Sequence, residues 1–184
     1  MDAVACGKEQ LLPSKNDYDW LGHGIYFWEN DPNRAYEYAC TLRDYPHRGQ
    51  GNIVQPAVLG AVIDVGQCLN LMETATLQFL QLSYETLKET FQINGDVLPV
   101  NTPGKGGGND LLLRYLDCAV IEFAHEINNK RSFDSIRGLF IEGEDLYPNA
   151  GFKTKNHIQI CVRNPNCIKG YFLPRDLDGG FPVP

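Results

Sequence analysis

With 184 residues, 43% of them hydrophobic and 21% charged, the chain has enough apolar material for one buried core and the composition of an ordinary globular domain. Its net charge of −7, from 16 basic and 23 acidic residues, argues against a broad nucleic-acid-binding face and leaves room only for a small local contact. The six cysteines are scattered with no C-x-x-C, and Cys161 and Cys167 beside His157 fit no zinc spacing, so reduced thiols in or near a core and no metal are expected. No signal peptide is visible in residues 1–12 and no apolar run reaches spanning length, so the expectation is a cytoplasmic protein with no membrane partner.

Taken in chain order, residues 2–12 read as the last turns of a helix, ended by Pro13 and Ser14. Residues 25–28, Ile-Tyr-Phe-Trp, form a short strand with Gly24 at its mouth. Asp31 and Pro32 then open a helix as N-cap and first helical residue, and it runs to about Arg43. Residues 45–55 are polar and turn-rich, a loop, and 57–65 a strand. Asn70 and Glu73 have capping-box spacing, and the helix they open carries Leu77, Leu80, Tyr84, Leu87 and Phe91 at helical intervals.

Residues 94–109 read as a loop. Its Gly-Lys-Gly-Gly-Gly at 104–108 lacks the spacing of a phosphate loop, and no strand feeds it. A second long helix is predicted over 110–128, with Leu112, Tyr115, Leu116, Ala119, Phe123 and Ile127 on one face. Strands follow at 138–142, 158–162 and 170–173, then a Gly/Pro-rich tail at 176–184. This order, without internal repeat or linker, predicts a single α+β domain with mixed or antiparallel pairing.

In the first strand, alternation puts Tyr26 and Trp28 on one face, Ile25 and Phe27 on the other. One face can serve a core. The other then offers aromatic surface beside a glycine, where a flat ligand can approach bare backbone. Strand tyrosines are more often half-buried packing residues, and Trp28 reads the same way. His157 by itself reads as a structural histidine, Arg137 as a surface charge, and Glu29 and Asp31 as helix-start carboxylates.

Residues 20–39, WLGHGIYFWENDPNRAYEYA, resemble the ADP-ribosyltransferase superfamily, in its diphtheria-toxin and poly(ADP-ribose) polymerase-like branch and its bacterial toxin-like members. There a Gly-x-Gly-Ile-Tyr-Phe strand leads into a helix, as Gly22 to Phe27 lead into 32–43 here. The resemblance implies that family's mixed or antiparallel sheets with flanking helices, and NAD as substrate. It makes Tyr26 the strand tyrosine that stacks nicotinamide and offers Tyr36 or Tyr38 as the second ring, with Gly24 and Phe27 in the same cofactor-binding stretch. It also puts Gln159 in the place of the late-strand acid, and His157, two residues earlier, where the family meets its acceptor. Glu142 is the nearest candidate base, and 143–155 would be the acceptor-recognition loop.

Two departures matter. None of His23, His47, His125 and His157 is followed by Gly-Thr, so the family's first His-Gly-Thr strand has no counterpart. Either the chain begins downstream of that strand or it is a degenerate copy. Gln159 can hydrogen-bond a ribose hydroxyl but cannot take a proton as a carboxylate does. The implied activity is NAD-dependent mono-ADP-ribosyl transfer to a protein, nucleic-acid or small-molecule acceptor, with an antitoxin-like protein as a possible partner. The alternative is an inactive or truncated copy that serves as a binding module.

Overall fold

A computed structural model describes residues 4, 6, 8–46, 53–104, 110–128 and 132–174. The 176–184 tail, His47, four of the five residues of the 104–108 glycine stretch and part of the 2–12 helix lie outside them. From Lys8 to Asp19 the described chain is not helical, so the predicted opening helix does not extend that far.

Strand β1 spans Ile25–Trp28 and helix α1 Pro32–Asp44. Strands β2 (Gly60–Ile63) and β3 (Cys68–Asn70) follow, then helices α2 (Thr74–Asn94) and α3 (Tyr115–Ile127). Strands β4 (Ser135–Phe140), β5 (His157–Val162) and β6 (Ile168–Phe172) close the order. The four-stranded sheet runs β1-β5-β4-β3, with β3 parallel to β4 and the other pairs antiparallel. Strands β2 and β6 form a separate antiparallel pair. The fold is mixed α+β, as the element order predicts. No helix among the described residues is long and apolar enough to cross a membrane.

Local chemistry accounts for the well-predicted elements. Asp31 caps α1 by accepting from the Arg34 backbone N–H at 2.9 Å, with Pro32 just inside. Helix α2 ends at Gly95, whose φ of +75° suits the left-handed cap. Two predicted helix starts move. Helix α3 starts at Tyr115 rather than near 110, because Leu113 pairs with Thr102 and Asn101 accepts from the Leu116 N–H at 2.8 Å. Asn70 does not open α2. It ends β3, and its side chain donates to Glu73 at 2.8 Å while Glu73 holds the N-cap position.

Register divides the large sheet into two faces. One carries Tyr26, Trp28, Ile136, Phe140, His157, Gln159 and Cys161, since β1, β5 and β4 pair with these residues opposite one another. Its core joins Ile136, Phe140 and Cys161 to Leu21, Leu69 and Ile121 of α3, with Phe79 and Leu80 of α2 packed alongside. Leu21, Leu69, Ile121 and Ile136 are at most 2% exposed, and each stabilises the fold by roughly 1.5–3 kcal/mol through burial. The other face presents Ile25, Ile160 and Val162 to Cys167, backed by Phe27, Ile63 and Ile168.

Candidate functional site

The glycines that attract attention in the sequence have packing reasons. Gly22 has φ +72°, and a Cβ there would run into the Glu122 carboxylate. A Cβ on Gly24 would lie 2.5 Å from the Cys161 sulfur and 2.7 Å from the Val162 carbonyl oxygen. Between them His23 donates its backbone N–H to Glu122 at 2.8 Å, and Arg163 reaches the same carboxylate at 2.5 Å. The Gly-His-Gly segment is therefore fastened to α3.

Tyr26 is tied into the same turn. Its hydroxyl donates to the Gly22 carbonyl at 2.6 Å and accepts from the Leu21 N–H at 2.8 Å. Its ring is part-buried against the Leu21–Ile121–Cys161 core, and burial drives its hydroxyl pKa far up. Phe27 lies on the opposite face of the sheet, in the second core. Both helix tyrosines are exposed, Tyr36 by 47% and Tyr38 by 41%, and Tyr38 brings its ring to 5.1 Å from Trp28. The described structure thus pairs Tyr38 with Trp28, and not with Tyr26. Burial also raises the Tyr38 pKa, helped by Tyr18, Asp19 and Glu142 and opposed by Arg34.

The residues expected at the late strand do converge. Trp28 sits opposite Gln159 in the β1–β5 register. His157 Nδ1 lies 2.7 Å from the Lys155 carbonyl, which only accepts, so that nitrogen carries the proton. Its Nε2 then accepts from the Gln159 amide nitrogen at 2.8 Å. That arrangement is the neutral imidazole, in keeping with burial pulling the His157 pKa down against the Lys155 and Glu142 contributions. It also leaves the Gln159 carbonyl oxygen as that side chain's acceptor. Glu142, only 8% exposed, meets Arg34 Nη2 at 3.0 Å and lies 3.7 Å from His157 Nδ1. Behind His157 stand Phe140 and Trp20, with ring centroids at 5.7 and 6.3 Å, and Arg114 stacks on Trp20 at 4.2 Å.

Sequence reading gave Arg34 no role, although Asp31-Pro32-Asn33-Arg34 puts it in the first turn of α1, close to where the strand ends. Nothing local announces its contact with Glu142, 108 positions away. Arg137, read as a surface charge, and Glu29, read as a helix-start carboxylate, form a two-pronged pair at 2.5 and 2.9 Å that bridges β4 to the end of β1. The six cysteines are unpaired, and Cys118, Cys161 and Cys167 are buried. A cavity of about 870 Å³ opens between α2, α3 and β4 beside Leu80, Tyr84, Arg114 and Ile121. It shares Trp20, Phe140 and Arg114 with the wall behind His157 and reaches neither Trp28 nor Gln159, so it is separate from the polar cluster taken as the candidate site.

No family model matches the chain, and no solved structure matches it significantly. The chain is 24% identical to the uncharacterized protein MJ0359 of Methanocaldococcus jannaschii over 191 aligned residues, which cover 92% of this chain and 82% of that protein.

Proposed function

We propose that the chain transfers ADP-ribose from NAD to an acceptor at the cluster of Trp28, Tyr38, Glu142, His157 and Gln159. One observation carries this reading beyond the resemblance of residues 20–39. The strand with the Gly-Ile-Tyr-Phe motif pairs directly with the strand that bears Gln159, and Trp28 faces Gln159 across that pair. In this reading the ribose–nicotinamide bond breaks through an oxocarbenium-like transition state. The Gln159 carbonyl oxygen accepts a ribose hydroxyl, and the Trp28–Tyr38 pair stacks the leaving ring. Preorganised contacts of this kind lower the barrier without reorganisation. Glu142 is the carboxylate closest to His157, at 3.7 Å, and serves as base toward an acceptor. The compartment that fits is the cytoplasm, where NAD is abundant.

The test is calorimetric titration of the chain with NAD, with nicotinamide release followed by chromatography. Saturable binding is expected, weakened about 10-fold in Tyr38→Ala through lost stacking, and nicotinamide release is expected to fall roughly 100-fold in Gln159→Ala. Tyr26→Ala is a poor probe, because that hydroxyl holds the 20–24 turn. A second reading, a binding module without catalysis, draws on one specific feature. The Gln159 amide nitrogen, Glu142 and the Tyr26 hydroxyl are all engaged within the chain. NAD binding without nicotinamide release would select it, and absence of NAD binding would end the transferase reading.

A further inference from the structure

The cavity of about 870 Å³ between α2, α3 and β4 takes no part in the transferase reading, and it is not what an ordinary core leaves behind. Cores hold few voids larger than a water molecule, whereas this volume falls among those of clefts that hold small molecules. Its floor belongs to the core: Leu21 is 1% exposed, Ile121 2% and Phe140 5%. Its rim does not. Met72, Leu77 and Leu139 border it and are 39%, 49% and 52% exposed, so an apolar mouth faces solvent.

A glycine shapes the floor. Ile136, Gly138 and Phe140 share the helix-covered face of β4, and glycine within a strand often marks a close approach of another group. A Cβ on Gly138 would come 3.0 Å from Leu21 Cδ2 and 3.7 Å from Leu71 Cδ1. Leu21 therefore packs onto bare strand backbone, in the place a side chain at 138 would take, and the space above it stays open.

One end of the cavity is polar. Arg114, the N-cap residue of α3, and Asp117 of its first turn border it. The Arg114 guanidinium lies 4.2 Å from the Trp20 ring and 5.1 Å from that of Phe140, and its Nε donates to the Leu111 carbonyl at 3.1 Å. Its ion pair with Asp117 is single-pronged, from Nη1 at 3.3 Å, between side chains 23% and 37% exposed, and so holds weakly. Asp117 has a second partner in the Asn101 amide at 2.8 Å. Arg114 Nη2 has no acceptor among the described residues.

We propose that this cavity binds a monocarboxylic acid with an apolar body, its carboxylate on the Arg114 guanidinium and its hydrocarbon among Leu77, Leu80, Ile121 and Phe140. Charge selects the head group. Arg114 is the only cation bordering the cavity among the described residues, and its planar fork, with Nη2 free, matches a carboxylate in two parallel bonds. The positive end of the α3 dipole adds to the attraction. Asp117, the only acid there, keeps Asn101 when it releases Arg114. A cationic head would be repelled at the same end. The leucine, isoleucine and phenylalanine walls select the body, because they gain by covering hydrocarbon. Such a ligand fits this chain whether or not it transfers ADP-ribose.

The test is calorimetric titration of the full chain with octanoate, octanol and octylamine, which share a chain and differ in the charge of the head. Trp20 emission is followed in parallel in a Trp28→Phe protein, where it is the remaining tryptophan. Octanoate is expected to bind saturably and to change that emission, octanol to bind about 10-fold more weakly, and octylamine more weakly still. Arg114→Gln is expected to weaken octanoate about 10-fold and to leave octanol unchanged. Leu77→Trp fills the mouth from a half-exposed position, and is expected to abolish binding of both while circular dichroism stays that of the parent. Absence of saturable octanoate binding, equal affinity for octanol or octylamine, octanoate binding that leaves Trp20 emission unchanged, or folded Arg114→Gln and Leu77→Trp proteins that bind as the parent does would each overturn the proposal. A dimer in light scattering that Leu77→Trp dissolves, without octanoate binding, would overturn it in favour of a second copy of the chain at the apolar mouth.

Discussion

The Tyr26 hydroxyl and the His125 ring carry opposite lessons about buried polar groups. Tyr26 is doubly satisfied, by the Leu21 N–H and the Gly22 carbonyl. Tyr26→Phe strands the Leu21 N–H and leaves the Gly22 carbonyl only the Cys161 thiol at 3.7 Å, and is expected to cost about 1–3 kcal/mol in urea unfolding. An unchanged midpoint would show that the turn does not depend on the hydroxyl. His125, 8% exposed in the last turn of α3, has no partner for either ring nitrogen among the described residues. Burial, with Arg163 assisting and Glu122 opposing, pushes its pKa down to about 4 from the usual 6.5. The folded state therefore holds the neutral ring, while the unfolded chain takes up a proton as pH drops below about 6.5. The stability this group contributes is complete above pH 6.5 and is lost as pH falls toward 4. Thermal midpoints are expected to decline across that window, and His125→Leu to flatten the decline. A decline that persists unchanged in His125→Leu would assign it to other groups.

At the scale of elements, the helix ends separate local from distant causes. Helix α1 is bounded by its own residues, Asp31 and Pro32 at the start and the Tyr45 N–H to Thr41 carbonyl bond at the end, so its limits are legible in a short window of sequence. Helix α3 is capped by Asn101, whose oxygen serves the Leu116 N–H and, at 3.3 Å, the Asp117 N–H. That residue lies 15 positions before Leu116, beyond the reach of any local capping rule. Asn101→Ala is expected to destabilise the protein by about 1 kcal/mol, as loss of a cap does, read from thermal denaturation. A change within error would mean that water replaces the amide. The three residues of β3 are too few to show a period, which is why that strand is visible only in its pairing with β4.

Across the whole molecule, one sheet separates two cores, and the same strand residue numbers decide which core a substitution reaches. Ile136, on the helix-covered face, is fully buried, whereas Leu139, three residues on in the same strand, is 52% exposed. Ile136→Ala is expected to cost about 2–5 kcal/mol, and Leu139→Ala to stay within about 0.5 kcal/mol, both from denaturant midpoints. Equal effects would contradict the two-faced sheet. The candidate site occupies the end of the helix-covered face where Tyr38 of α1 meets Trp28 and Arg34 meets Glu142. There the polar residues His157, Gln159 and Glu142 are each at most 9% exposed, in a position that only the assembled sheet creates.

Period and local punctuation were enough to read β1, α1, α2, β5 and the α+β order from the residues alone, because alternation, helical spacing, proline and capping act over a few neighbours. The same alternation put Tyr26 with Trp28, and His157 with Gln159, on shared faces before any pairing was known. Tertiary structure decided the rest. It set the β1-β5-β4-β3 order, joined Arg34 to Glu142 and Glu29 to Arg137, and brought Tyr38 to Trp28 while the Tyr26 hydroxyl closed on its own turn. These contacts join residues as far as 108 positions apart, and their geometry follows from strand register and helix docking, which no short window of sequence encodes.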